Sequence, residues 1–171
     1  MENFVIEKLS DKHSNSLLSK FKCGDEFLNQ FISRKAKKHQ EQLLAVTYLV
    51  FFDNLLVGYF SILNEQLKNN EKEILKFQKG KQYQTYPAVK IGRLAVRSDI
   101  ENRGLGSRII DAIKNRFANN QTSGCRYLTL DSYNTPKNLN FYKKNGFDIY
   151  TEEDKNGKTR YMYYDLLLSK E

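Results

Sequence analysis

Ile91-Gly92-Arg93-Leu94-Ala95-Val96, a connector over Arg97 to Asn102, and Arg103-Gly104-Leu105-Gly106-Ser107-Arg108 make up the stretch that decides the fold. The first six residues read as the end of a strand over Ala88 to Val96. From Leu105 to Ala118, the apolar residues Leu105, Ile109, Ile110, Ile113 and Phe117 share one face, the mark of an amphipathic helix. A strand therefore feeds a glycine-punctuated turn that opens directly into a helix. The first amides of a helix have no internal partner and carry partial positive charge. Glycine lets a ligand approach the backbone closely. Together these make a cradle for a pyrophosphate. An ordinary strand-to-helix turn also uses such glycines, so the turn alone does not name a ligand. Two nucleotide loops are excluded. The third glycine position of a dinucleotide fingerprint holds Ile109, and no Gly-Lys-Ser/Thr of a Walker loop follows.

Reading outward, Arg126 to Asp131 is a buried strand, and Thr135-Pro136 starts a helix with Thr as cap and Pro in the first turn. That helix runs to Asn145 and stops at Gly146. Phe147 to Tyr150 and Arg160 to Leu168 are strands flanking the Asn156-Gly157 turn. Upstream, Val46 to Phe52 and Leu55 to Leu63 form a hairpin about Asp53-Asn54, residues that tolerate positive φ. Phe4 to Leu9 is a first strand. Ser10 and Asp11 cap a helix over Lys12 to Lys20. Asp25 caps a second helix to about His39, with Phe27, Leu28, Phe31, Ile32 and Ala36 as its apolar positions. The lysine-rich stretch 64–86 has a short helix around Glu71 to Phe77 and no assigned place. The order is β-α-α-β-β-β-α-β-α-β-β, an α/β chain with a mixed sheet, read as one domain over residues 1–171.

Composition narrows the class. The chain is 40% hydrophobic and 28% charged, the balance of a folded globular protein. No apolar run reaches the roughly 18 residues of a membrane span, and the first residues carry no export pattern. Cys23 and Cys125 lie in unlike segments, so the expectation is reduced thiols, a cytoplasmic location and no disulfide. His13 and His39 lack partners at metal-ligand spacing, so no metal is expected. A net charge of +8 suits polyanionic partners, and equally suits a merely soluble basic surface.

Phe141-Tyr142-Lys143-Lys144-Asn145-Gly146-Phe147, following the glycine turn by a strand and a helix, makes the whole pattern resemble the GNAT N-acetyltransferases. The resemblance covers nearly the whole chain. It implies a GNAT-like mixed, mostly antiparallel central sheet of about seven strands flanked by about four helices, and acetyl-CoA as donor. It implies that the backbone of Leu94, Ala95 and Val96 pairs with the pantetheine arm. The amides of Asn102, Arg103, Gly104, Leu105, Gly106 and Ser107 would hold the pyrophosphate. Tyr142 would be the acid that protonates the departing thiolate. The family's Gln/Arg position is Glu101 here, so that side chain should point away, with Arg103 or Arg108 giving the cationic contact. The family's pantetheine-binding Asn falls at Thr135, with Asn134 one residue off, and that contact stays open. Glu65, after the hairpin, is a candidate base at the sheet edge. An acceptor α-amine, pKa about 7.7–8.0, would need no dedicated base.

Within that family, Cys23-Gly24-Asp25 with Leu28, and Gly92-Arg93-Leu94-Ala95-Val96, resemble the acetyltransferase toxins of toxin–antitoxin pairs. This resemblance implies a primary-amine acceptor that is the α-amine of aminoacyl-tRNA, so that transfer blocks translation. It also implies an antitoxin protein and a homodimer as candidate partners. Arg34, Lys37 and Lys38 are the candidate RNA contacts. On a helical wheel Arg34 and Lys37 fall outside the apolar arc, Lys38 at its edge and Lys35 within it; a solvated helix face would look the same. Two alternatives stand: a small-molecule or protein-amine N-acetyltransferase, and a non-catalytic basic binding module. Glu101 leans toward the module; Tyr142, Gly104 and Gly106 lean against it.

Overall fold

Asp53 and Asn54 adopt φ of 46° and 65°, the pair of positive values a two-residue hairpin turn needs. They join β2 (Val46–Phe52) to β3 (Leu55–Lys68), which pair antiparallel from Phe52↔Leu55 to Val46↔Ile62 with a bulge between Val50 and Phe51. The computed structural model describes residues 4–68, 83–101, 104–119 and 123–169. The expected helix around Glu71 to Phe77 lies outside them.

Seven strands form one sheet of order β1-β2-β3-β4-β5-β7-β6, with β1 (Phe4–Lys8), β4 (Thr85–Val96), β5 (Tyr127–Tyr133), β6 (Asp148–Ile149) and β7 (Thr159–Asp165) completing it. The pairs β1–β2, β2–β3, β5–β7 and β6–β7 are antiparallel, and β4–β5 is parallel. The helices are α1 (Asn15–Lys20), then a continuous run of α2 (Glu26–Gln30), a π turn (Phe31–Lys35) and α3 (Ala36–Glu41), then α4 (Leu105–Asn119) and α5 (Pro136–Lys144). With that run counted once there are four helices among the described residues, and the expected mixed α/β architecture and element order hold.

Local signals account for most boundaries. The Asp25 side chain accepts from the amides of Phe27 at 2.8 Å and Leu28 at 3.3 Å, satisfying donors that a helix start leaves open. Thr135 accepts from the Asn138 amide, and Pro136 follows it. α5 ends where Gly146 takes φ of +78°. The cap expected at Ser10 and Asp11 is instead Ser14, whose side chain accepts from the Leu17 amide at 3.1 Å. Residues 10–13 close a separate turn, with the His13 amide on the Ser10 carbonyl and the Ser10 amide on His13 Nδ1, both at 3.1 Å. The last strand stops at Asp165, and Leu166–Ser169 is a 3-10 turn.

Contacts gather into two units. The first comprises Met1–Leu63 and Ile91–Ile109. Its buried cluster includes Leu18, Phe31, Ile32, Leu49 and Tyr59. Gly58 belongs here: a Cβ built on it would sit 2.8 Å from the Ala95 carbonyl oxygen and 3.1 Å from Ile109 Cδ1. The main chain cannot yield at that contact. Gly58→Ala is expected to lower unfolding free energy by about 1–3 kcal/mol, read from the midpoint of a urea titration.

The second unit comprises Asn64–Lys90 and Ile110–Glu171. One sheet face carries a chain of tyrosine rings, Tyr86–Tyr127–Tyr163–Tyr150–Tyr161, with successive centroids 5.8, 6.1, 6.1 and 5.4 Å apart and all edge-on. Edge-to-face contact is the preferred geometry of aromatic pairs. Arg160, only 5% exposed, is held by Asp154 at 2.6 Å and by the Thr151 carbonyl at 3.0 Å.

Candidate active site

β4 and β5 pair in parallel only over Ala88–Lys90 opposite Tyr127–Thr129, and β4 then runs on to Val96. Leu94 and Val96 are half-buried and Ala95 is 4% exposed, its methyl facing the first unit's core. A 3-10 turn, Ser98–Ile100, links the strand toward Gly104. Gly104 takes φ of +76°, and a Cβ built on it would meet nothing within 4 Å. α4 begins at the next residue, and its first internal bond is the Arg108 amide to the Gly104 carbonyl at 3.1 Å. The amides of Leu105, Gly106 and Ser107 precede that bond, so they have no partner within the helix. The sequence leads one to expect a cradle along this turn, and these three amides stand at its helical end. Asn102 and Arg103 lie outside the described residues.

Glu101 Oε1 approaches Gly24 to 3.9 Å of the position a Cβ would take there, so its carboxylate reaches the Cys23-Gly24-Asp25 loop. Arg108, the expected cationic contact, lays its guanidinium over the Phe4 ring at 4.6 Å and Phe52 at 6.0 Å. Arg34, Lys35 and Lys38 are exposed on the α2–α3 run. Lys35, expected within the apolar arc, points out, its ammonium 5.8 Å from the Phe27 ring. Lys37 is half-buried and donates to the His13 carbonyl at 2.7 Å, so this expected RNA contact ties α3 to the chain before α1. Cys23 is half-buried, its thiol on the Asp25 carbonyl and Asn29 Oδ1, and burial pushes its pKa up. Cys125 is pushed up to about 11 by burial.

In the second unit, Tyr142 is half-buried, with ring centroids of Phe141 at 5.0 Å and Phe147 at 5.9 Å. Its hydroxyl makes no hydrogen bond among the described residues, and burial pushes it up to about 12. It therefore stays protonated at neutral pH. Thr135 is occupied as a helix cap, and Asn134 Nδ2 donates to the carbonyls of Lys155 at 2.8 Å and Gly157 at 2.9 Å.

Glu65, expected at a sheet edge, lies on the inner strand β3 and is fully engaged. It accepts from Lys90 Nζ at 3.1 Å, Tyr161 hydroxyl at 2.9 Å and the Thr129 hydroxyl. Lys90 also meets Asp131 at 2.8 Å. Burial pulls the Lys90 ammonium down, but its hydrogen bonds to Asp131 and Glu65 outweigh that and leave its pKa raised. A carboxylate with three donors has few lone pairs left for an acceptor's proton. The sequence held one clue to this cluster: a lysine inside the apolar strand β4 demands an acidic partner.

Comparison with known proteins places these features in context. A family model described as an acetyltransferase (GNAT) domain matches residues 45–149. A curated relative, the tRNA(Met) cytidine acetyltransferase TmcA of Haemophilus ducreyi (strain 35000HP / ATCC 700724), is 30% identical over 63 residues. That match spans 36% of this chain and 10% of the relative. A solved bacterial toxin superposes with a TM-score of 0.82 at 15% identity, over 98% of this chain and 93% of the other. AtaT complexed with acetyl-methionyl-tRNAfMet gives 0.79 at 20% identity over 98% of each chain. AtaTR bound with AcCoA gives 0.74 at 20% identity, over 98% and 96%. At these identities the likeness is one of fold.

Proposed function

The chain belongs to the acetyltransferase (GNAT) domain family, and on that premise we propose that it moves acetyl from acetyl-CoA to the α-amine of an aminoacyl-tRNA. The observation that carries the donor is the Gly104 turn. Left-handed backbone opens it, open space surrounds the Gly104 Cβ position, and three amides with no partner within the helix follow. A pyrophosphate fits that chemistry: Leu105, Gly106 and Ser107 donate hydrogen bonds, and the helix N-terminus favours the negative charge. Leu94, Ala95 and Val96 offer the backbone of β4 to the pantetheine amides. The coenzyme supplies an activated acetyl thioester. Tyr142 holds the proton that the leaving sulfur takes. We take residues 1–171 to act as one catalytic domain.

The acceptor reading draws support from two sides. Arg34 and Lys38 stand exposed on one helical run, and the chain shares its fold along 98% of its length with a protein complexed with an acetylated aminoacyl-tRNA. In the cytoplasm such an activity halts translation and calls for an antitoxin partner; a homodimer is the assembly we expect. Among the described residues, no helix is long and apolar enough to cross a membrane.

The test is transfer of labelled acetyl to charged tRNA, polyamines and peptides in parallel. Charged tRNA should be modified in preference to the others, and transfer confined to polyamines or peptides would replace the acceptor. Arg34→Glu with Lys38→Glu should weaken tRNA binding and flatten its dependence on log salt by roughly 1.5–2, with acetyl-CoA affinity intact. An unchanged salt slope would remove this helix from RNA binding. Lys37 is left in place because its ammonium holds the His13 carbonyl.

A further inference from the structure

Arg93 and Phe27 form an arrangement that folding alone does not explain. The Arg93 guanidinium carbon lies 5.1 Å from the Phe27 ring centroid and 5.2 Å from that of Phe31. Its Nη1 donates to the Gly92 carbonyl at 2.5 Å, but its Nε is buried and has no hydrogen-bond partner. No carboxylate pairs with it among the described residues. A half-buried cation with an orphan donor is unfavourable unless something completes it.

Phe27 is 52% exposed although it is a large apolar side chain. Its main chain is anchored, the amide held by the Asp25 cap at 2.8 Å. The shelf beneath is rigid: Phe31 stacks on Tyr59 with centroids 6.2 Å apart, and the Tyr59 hydroxyl donates to the Leu28 carbonyl at 2.8 Å. Lys35 brings a second cation to 5.8 Å from the Phe27 ring. The two acids at the start of α2 are hydrogen-bonded within the helix. Asp25 caps α2, and Glu26 accepts from Asn29 and Gln30.

We propose that Phe27, Arg93 and Lys35 together bind one unpaired nucleotide of an RNA acceptor. The base stacks on the exposed Phe27 ring, and a phosphate meets the Arg93 and Lys35 cations. A half-exposed aromatic ring with two cations close over it is the chemistry that single strands recognise. A base-paired stem offers the same phosphates but no free base, so the platform selects the unpaired end. The inference rests on the tRNA reading above and refines it.

The probe is a labelled single-stranded RNA oligonucleotide, followed by fluorescence anisotropy, with a blunt RNA duplex and an acidic peptide as comparisons. Phe27→Ala should weaken binding of the single strand by about 10-fold or more. Phe27→Tyr, which keeps a ring, should retain it, while duplex binding and acetyl-CoA affinity stay unchanged in both. Equal loss on duplex and single strand, no loss at all, or preferential Phe27-dependent binding of the peptide would overturn the platform. Its failure and that of the acceptor reading separate cleanly. Phe27-dependent RNA binding without acetylation of charged tRNA keeps the platform and refutes the acceptor. Acetylation of charged tRNA indifferent to Phe27→Ala does the reverse.

Discussion

Tyr142→Phe lowers acetyl transfer by roughly 100- to 10,000-fold, the range a positioned general acid contributes, and leaves acetyl-CoA affinity close to that of the parent chain. The substitution removes one oxygen and keeps the ring, so the contacts with Phe141 and Phe147 survive. The hydroxyl has no hydrogen-bond partner among the described residues that its loss would strand, so the thermal midpoint should barely move. The pH profile adds a second reading. Burial raises the hydroxyl to about 12, so its protonated form is fully present across the assay range. The rate should therefore climb with pH as the acceptor α-amine loses its proton near about 8, then stay level through pH 10 without an alkaline fall. A decline between pH 8 and 10 would mean that a different, more acidic group delivers the proton. Full activity of Tyr142→Phe would remove the tyrosine from the chemistry.

Asp154→Ala is expected to lower unfolding free energy by about 3 kcal/mol, the order found when one partner of a buried ion pair is deleted. Arg160 is 5% exposed and cannot return to water once the carboxylate is gone. Its contact with Glu152, at 3.4 Å, reaches a side chain that is 73% exposed and weakly held. The same deletion strips an acceptor from the Tyr161 amide, which meets Asp154 Oδ2 at 2.6 Å. Removing the other partner should be milder. In Arg160→Met the Asp154 side chain, 24% exposed, keeps the Tyr161 amide and gains water. Guanidinium chloride titrations of both variants decide the matter: equal losses would show that the pair does not behave as a desolvated cation with one essential counter-charge.

What the sequence could tell followed from how local each cause is. The hairpin at Asp53-Asn54, the Asp25 cap and the Thr135-Pro136 start each depend on residues within three positions, and all three are present. The Gly104 turn was legible because the backbone there needs a residue free to take positive φ. Distance in sequence is what hid the rest. Glu65 meets partners 25, 64 and 96 residues away, so nothing near it announces that it is engaged. Lys37 reaches a carbonyl 24 residues back, which a helical wheel cannot display. Lys35 fails on the wheel for a different reason. The wheel assumes 3.6 residues per turn, and the π turn Phe31–Lys35 is wider than that. Ala36 takes the buried place and Lys35 swings outward. That same displacement carries the Lys35 ammonium to Phe27.

The edge-on tyrosines of the second unit have an optical consequence. The chain contains eleven tyrosines and no tryptophan, so its ultraviolet emission is tyrosine light alone. Rings whose centroids lie 5.4 to 6.1 Å apart pass excitation from one to the next, so that emission is depolarised and says little about any single site. A tryptophan placed at position 27 would be a lone emitter of longer wavelength on a dark background, and quenching of its glow by an added nucleotide would report the stacked base directly.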